Sequence, residues 1–345
     1  MVRQVTIGLR LHTDLGKIAS NLIAVRNKIG SRELTFMVKA DAYNHGVNKV
    51  APFTEQIVDR YGVATLKEGV WLRKLGVKKP ISVFNCLPQD IKSVKQYDLT
   101  PVVYNFNTLR AIASERIEDF DLKIDSGMNR FGFKTIEEVL SVVKVLKQIG
   151  LKPRSICTHF ASAAAIHAQL SAFTGLIEPL LYCGKVPINV SATSGINQGH
   201  YADGVRAGLI AYSGALKVCS EIIAIKCVDK GECIGYDHAY VAKDNELIAI
   251  ISGGYYDGIM RSYEGACVNI NGYSCPIIGK ISMDTTFVKL NVQAKVGDKV
   301  IVIDNNTLDS FVRASNASIY EIITSIKGRC ERRYYNGQTR DKTTC

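Results

Sequence analysis

The sequence predicts an α/β protein in two parts: an N-terminal eight-stranded (β/α)8 barrel over residues 1–222, then a mostly antiparallel β domain over residues 223–345. Two observations carry this. Eight strand-like segments fall within about 215 residues, each connection long enough for a crossover helix, which is the span a closed parallel barrel needs. Near residue 220 the pattern changes to short runs punctuated by Gly, Asp and Asn, as in antiparallel strands joined by tight turns. A doubly wound open sheet is the runner-up for the first part.

In order, residues 14–29 space Leu15, Ile18, Leu22, Ile23, Val25 and Ile29 along one helical face, giving a covering helix. Leu34, Phe36, Met37 and Val38 then run without helical period into Lys39, as the end of a buried parallel strand does. Behind Lys39 comes ADAYNHG, whose Asp, Asn and Gly favour an irregular backbone. Seven more strand-like segments follow: 61–66, 80–86, 100–105, 120–125, 155–160, 186–190 and 204–212. Amphipathic stretches at 134–149 and 166–182 separate several of them. In the second part IIAIKCV, LIAIISGGYYDG, PIIGKISMDTTFVKL and DKVIVID read as strands and turns, and residues 316–327 as one short helix.

Hydrophobic residues make up 47% of the 345-residue chain, ample for a large core. The formal charge of +11 is spread along the sequence and is densest in the tail at Lys327, Arg329, Arg332, Arg333, Arg340 and Lys342. No nucleic-acid recognition motif accompanies it, so the charge reads as solubility and attraction of anions. The ten cysteines (86, 157, 183, 219, 227, 233, 267, 275, 330 and 345) form no CxxC pair and no zinc-type spacing, so no metal is expected. The opening MVRQVTIGLR is too short and polar for a signal peptide, and no run reaches the length of a membrane span. A reducing cytoplasm with free thiols is the expected compartment.

A closed barrel brings the C-terminal ends of its strands to one rim, where chemistry is placed. There the sequence sets Lys39 and Tyr43 at strand one of the eight, Lys123, Asp125 and Arg130 at strand five, His159 at strand six, Ser191–Gly195 after strand seven, and Arg206–Leu209 at strand eight. The loop SATSG, with Gly208 beyond it, matches the phosphate site such barrels build after strands seven and eight. A phosphate cofactor beside a lysine able to form an imine points to pyridoxal phosphate.

From VKADAYNHG onward the chain resembles the alanine racemase family, and the likeness recurs in family order at LKIDSGMNRFGF, CTHFASA, SATSG, VRAGLIAY, IGYDHAY, GGYYDGIMR and GKISMD. The resemblance implies a barrel plus β domain in a head-to-tail homodimer with shared active sites. It implies that Lys39 holds the cofactor covalently and serves as one proton-transfer base, and that Tyr236, arriving from the partner subunit, is the second. Two bases on opposite faces of one Cα are what racemisation requires. Arg206 matches the arginine facing the pyridine nitrogen, Arg130 the residue near the cofactor's phenolate oxygen and the substrate carboxylate, and Lys123 a lysine carbamylated in many members. His159 matches a neighbour of the cofactor; Tyr43, Ser194, Gly208 and Leu209 match phosphate ligands. Tyr255 and Met283 match substrate-binding residues at the entrance, Met283 through its backbone N–H.

Three departures bear on substrate. Asn44 replaces the usual glycine of the lysine loop, and Asn tolerates the same left-handed backbone. Lys280 replaces an arginine at the entrance and loses its bidentate fork. Gly328 stands where the family has a tyrosine that contacts the phosphate and walls the methyl pocket; its loss is expected to enlarge that pocket unless Tyr334 or Tyr335 folds back. The reading is therefore an alanine racemase interconverting L- and D-alanine for peptidoglycan. The alternatives are a serine or broader-specificity racemase of the same family and, from another class, a non-catalytic pyridoxal-phosphate carrier. A pyridoxal-phosphate decarboxylase shares the two-part plan but not these C-terminal motifs. The expected partners are a small amino acid and a second copy of the chain, not nucleic acid or membrane.

Overall fold

In the computed structural model, which describes residues 8–181, 184–191, 193–199 and 202–337, strands run from β1 (Leu9–Asp14) through β2 (Glu33–Met37), β3 (Arg60–Val63), β4 (Ile81–Val83), β5 (Thr100–Val103), β6 (Asp121–Lys123), β7 (Ser155–Cys157), β8 (Ile188–Ser191) and β9 (Gly204–Ala207). They continue with β10 (Leu216–Val228), β11 (Cys233–Ile234), β12 (Tyr240–Val241), β13 (Glu246–Ser252), β14 (Cys267–Ile270), β15 (Tyr273–Pro276), β16 (Thr285–Lys289), β17 (Lys299–Ile303) and β18 (Cys330–Tyr335). Strands β2 to β9 close into a parallel barrel in chain order, with β9 returning to β2, as expected from the eight apolar runs. The chain forms two compact units. One holds Ala19–Ala42 and Val47–Ala211; the other holds the described residues up to Ile18, Tyr43–Gly46, and those from Tyr212 onward.

The barrel strands are covered on both faces, so β3 and β9 are buried at every position, including Arg60 and Arg206. The pole opposite Lys39 is filled by a polar network. Arg60 donates to Thr100 Oγ1 (2.8 Å), Ser82 donates to Asp121 (3.0 Å), Ser155 donates to Asp121 (2.6 Å), and Arg154 bridges Asp121 and Glu33. Buried charge of this kind is sustained only when its groups are paired. The expected helices occur at Leu15–Ile29, Ile136–Ile149 and Ile166–Leu181.

In the second unit an eight-stranded sheet has the order β15-β14-β17-β10-β1-β18, with β13 joining β10 to β16. Strand β1 lies antiparallel to β10 and parallel to β18. Neither β1 nor β18 was expected: LRLHTD and CERRYY place Arg and His among their apolar residues, and a central strand with buried Arg10 and His12 lacks the alternation that signals one. The single helix expected over 316–327 is Ile319–Ser325, preceded by a second, Leu308–Ser315. Asn316 at φ +55° breaks the path between them.

After β2 the chain enters one unusual turn. Ala40, Asp41, Ala42, Tyr43 and Asn44 all have φ between +51° and +67°, so Lys39–Asn44 is a left-handed helical turn rather than an irregular loop. For L-residues this conformation costs roughly 1–2 kcal/mol each, so the turn is held by its surroundings.

Among the described residues, cysteines 86, 157, 227, 233, 267, 275 and 330 are free thiols, and Cys219 is buried in β10. Cys183, Cys345, Arg340 and Lys342 lie outside the described residues. Among the described residues no helix is long and apolar enough to cross a membrane.

Candidate active site

In the barrel unit the strand ends bring together five of the residues singled out in the sequence. Lys39 stands two residues past β2, where Val38 donates its N–H to Gly62 of β3 (2.9 Å). Burial and nearby Arg130 pull its amine below the ordinary lysine range, with Glu68 opposing. Lys123 ends β6, is buried, and pairs in register with Cys157 of β7. Burial, aided by Arg206 and Arg130, pushes its amine down to about 8. His159 lies two residues past β7, and burial with four cations around it (Arg206, Lys123, Arg130 and Lys39) holds its imidazole down to about 3, hence neutral. Arg206 is buried in β9. Its Nη1 donates to Asn189 O (2.8 Å) and Asn189 Oδ1 (3.0 Å), its Nη2 donates to Thr158 O, and its guanidinium lies 5.8 Å from the Phe84 ring centre.

The loop that carries Arg130 is shaped by Asp125. Burial opposes ionisation of this carboxylate, but N–H groups of Gly127, Asn129, Arg130 and Met128 hold it below its ordinary value. Lys123, Asp125, Arg130, Thr158 and His159 share one crevice. The loop after His159 is clamped by buried Gln169, which accepts from Ala161 N (2.7 Å) and donates to His159 O (3.4 Å). Gly208 directly follows β9, and Leu209 opens the short helix Leu209–Tyr212. Thr193–Asn197 follows β8 in the same way; the side chain of Ser194 lies outside the described residues.

Gln169, Asn189 and Glu68 were not singled out in the sequence. Only Glu68 carried a readable signal, as the fourth residue of the Thr65-x-x-Glu68 capping box.

The second unit holds the remaining candidates. Tyr43 is buried, its ring centre 4.9 Å from that of Tyr212 and 5.9 Å from that of Tyr320, and burial raises its phenol well above the ordinary range. Tyr236 opens a tight turn after Gly235 (φ +77°) and is 60% exposed. Beside it, Lys280 pairs with Asp237 (2.5 Å), so the residue that replaces an arginine still carries a salt bridge. Tyr255 N donates to Ser282 O (3.0 Å) and Tyr256 N to Met283 O (3.2 Å), fixing Tyr255 against the segment that bears Met283. Gly254 is required there, because a Cβ would lie 2.2 Å from Ser282 O.

Gly328 has little room beside its own Cα. At φ +71°, a Cβ on this residue would lie 2.7 Å from Tyr256 O and 3.1 Å from its ring. Arg329 sits 4.9 Å from the centre of the same ring and grips buried Asp257 through Nε (3.1 Å) and Nη2 (3.0 Å). Tyr334 does not fold toward Gly328; its hydroxyl occupies the space beside Gly46.

A closed (β/α)8 barrel with a partly buried rim lysine, followed by an antiparallel β domain, defines an enzyme frame suited to lysine chemistry on a small molecule. Residues 13–215 match the alanine racemase N-terminal domain model and residues 215–334 the C-terminal domain model. The chain is 31% identical to an alanine racemase of Streptococcus agalactiae over 93% of this chain and 96% of that protein. A solved alanine racemase of Clostridium difficile superposes with a TM-score of 0.87 at 28% identity, covering 96% of this chain and 97% of that one. A Bartonella henselae alanine racemase with covalently bound pyridoxal phosphate shares the fold, with a TM-score of 0.88 at 24% identity over 96% of this chain and 100% of its own. The chain belongs to the alanine racemase family, a pyridoxal-phosphate-dependent family of isomerases, and is itself a racemase.

Proposed function

We propose that the protein interconverts L- and D-alanine with pyridoxal phosphate, using Lys39 and the partner subunit's Tyr236 as its two bases. The observation that carries this reading is a charge imbalance. Lys39, Lys123, Arg130 and Arg206 surround a neutral His159, while the adjacent carboxylate, Asp125, is already committed to four backbone amides. Such a cluster is stabilised by an anionic ligand, and the phosphate and phenolate of the cofactor together with the carboxylate of an amino acid meet that need. The residues therefore fit the group.

When bound, pyridoxal phosphate supplies the electron sink that makes a Cα proton labile. Lys39 would anchor it, and the amine's depressed basicity suits a group that must be neutral to attack a carbonyl and later to accept a proton. Arg206, always charged and donor-only, would meet the ring nitrogen and disfavour its protonation. Arg130 would orient the substrate carboxylate, Tyr255 and the Met283 backbone would border the entrance, and Tyr43, Ser194, Gly208 and Leu209 would take the phosphate. Lys123, a buried amine with a lowered pKa between two arginines, suits carbamylation, which would turn it into their counter-ion.

Tyr236, exposed on a turn of the second unit, is disposed to enter another copy of the chain in a homodimer with shared sites. A carrier would have no use for that residue. The expected setting is the cytoplasm, supplying D-alanine for peptidoglycan. The test is incubation of the cofactor-loaded protein in heavy water with L-alanine and, separately, L-serine, followed by chiral chromatography with mass detection. Alanine should racemise well ahead of serine with deuterium at Cα, and absence of exchange in any amino acid refutes the proposal.

A further inference from the structure

The left-handed turn that begins beside Lys39 is an unfavourable conformation for the alanines within it, so contacts from outside the turn must hold it. Within the barrel unit, Asp41 Oδ1 accepts from Val47 N (2.8 Å) and closes the far side. The near side is held from another element. Glu68, in the helix Leu66–Lys74 that follows β3, accepts the N–H of Ala40 on Oε1 (2.8 Å). Its Oε2 accepts from Ala64 N (2.7 Å) and Thr65 N (3.0 Å), and its own N–H donates to Thr65 Oγ1 (3.4 Å).

Comparable capping boxes occur at Thr135/Glu138 and Ser318/Glu321. There the cap is made by Oε2 of the glutamate. At Glu68 the other oxygen is engaged as well, and it reaches the residue adjoining Lys39.

We propose that Glu68 is a positioning residue for Lys39: its carboxylate locks the first amide of the left-handed turn to the start of the helix after β3, fixing where the lysine amine points. The inference rests on Lys39 being the cofactor lysine. One carboxylate serves three amides from two segments, so the end of β3 and the first residue of the turn are tied together. Of the charges felt by the Lys39 amine, Arg130 lowers its basicity and Glu68 favours its protonated form. Glu68 accordingly acts on the lysine through both backbone and charge.

Three full-length variants separate positioning from plain helix capping: E68A removes the carboxylate, E68D keeps a capping carboxylate too short to reach Ala40 as well, and T65A weakens the cap but leaves the Ala40 contact. Each apoprotein is mixed with pyridoxal phosphate, the visible band of lysine-bound cofactor is followed in time, and borohydride reduction with peptide mass analysis locates the modified residue. Melting temperature, kcat and KM for L-alanine are measured alongside.

E68A should lower the melting temperature more than T65A, since it removes three hydrogen bonds against one. Attachment at Lys39 should slow by about tenfold in E68A and E68D and kcat should fall similarly, with KM within about twofold, while T65A keeps wild-type values. Should E68A fail to fold, E68D against T65A gives the same comparison. Attachment in E68A or E68D at the rate of T65A overturns the proposal for Glu68 alone. Absence of trapped cofactor at Lys39 in the wild-type protein overturns it together with the functional reading beneath it.

Discussion

Replacing Asn44 by the glycine usual at this position in the family should destabilise the protein, although glycine is the better residue for a left-handed backbone. Asn44 has φ +67°, and its side chain makes three hydrogen bonds: Nδ2 donates to Ile323 O and Ile326 O, each at 2.8 Å, and Oδ1 accepts from Arg332 Nη2 at 2.5 Å. The contact of Arg332 Nη1 with Asn44 O is to the backbone and survives. Two neutral bonds at about 1 kcal/mol each and one charged bond at about 1.5 kcal/mol are lost. Relief of the left-handed backbone is small for Asn and is offset by the roughly 0.5–1 kcal/mol of extra freedom glycine has when unfolded. The net expectation for N44G is a loss of about 3 kcal/mol. N44A loses the same bonds and keeps an alanine at positive φ, so it should be worse by about another 1 kcal/mol. Urea unfolding followed by circular dichroism reads both. An N44G protein within about 0.5 kcal/mol of wild type, or N44A more stable than N44G, refutes the reasoning, since surface substitutions alone stay within that margin.

Two further substitutions test other parts of the account. G328A should cost about 2–3 kcal/mol, because an L-residue at φ +71° is strained and its Cβ meets the Tyr256 carbonyl at 2.7 Å; a neutral result in thermal melts would contradict that crowding. Lys123 titrates at about 8 when folded against the ordinary 10.5, so the unfolded chain binds more protons between those values and the lysine's penalty, complete below pH 8, is relieved as pH rises through that window. In buffer free of carbon dioxide, wild type should therefore gain about 3 kcal/mol relative to K123M between pH 7 and 10.5, and parallel stability curves would contradict the buried, uncompensated amine.

The barrel was legible in the sequence because parallel strands covered on both faces are written as continuous apolar runs, and β2 through β9 follow them closely. Lys39, Lys123, Arg130, His159 and Arg206 could be set on one rim from strand count alone, since barrel closure brings strand ends together whatever the details of packing. The handedness of the turn at Ala40–Asn44 was not legible: nothing in ADAYN requires five successive positive φ angles, and the contacts that sustain them come from Glu68, Val47 and Arg332, which are distant or unremarkable in sequence. Strand β1 was hidden by Arg10 and His12, whose burial depends on neighbours contributed two hundred residues later. At Gly328 the absence of the family's tyrosine was visible, but not that Tyr256 crowds the residue's own Cα, a contact made through tertiary packing alone.

The central claim, that each site takes Lys39 from one chain and Tyr236 from another, is tested most directly by mixing two inactive variants. K39A and Y236F are each purified, combined in equal amounts under conditions that exchange subunits, reloaded with pyridoxal phosphate and assayed for alanine racemisation. If the bases come from different chains, every mixed dimer rebuilds one intact site, and random pairing should restore about one quarter of wild-type activity. If the mixture remains as inactive as its components despite verified exchange, Tyr236 does not serve the partner's site and the account is wrong.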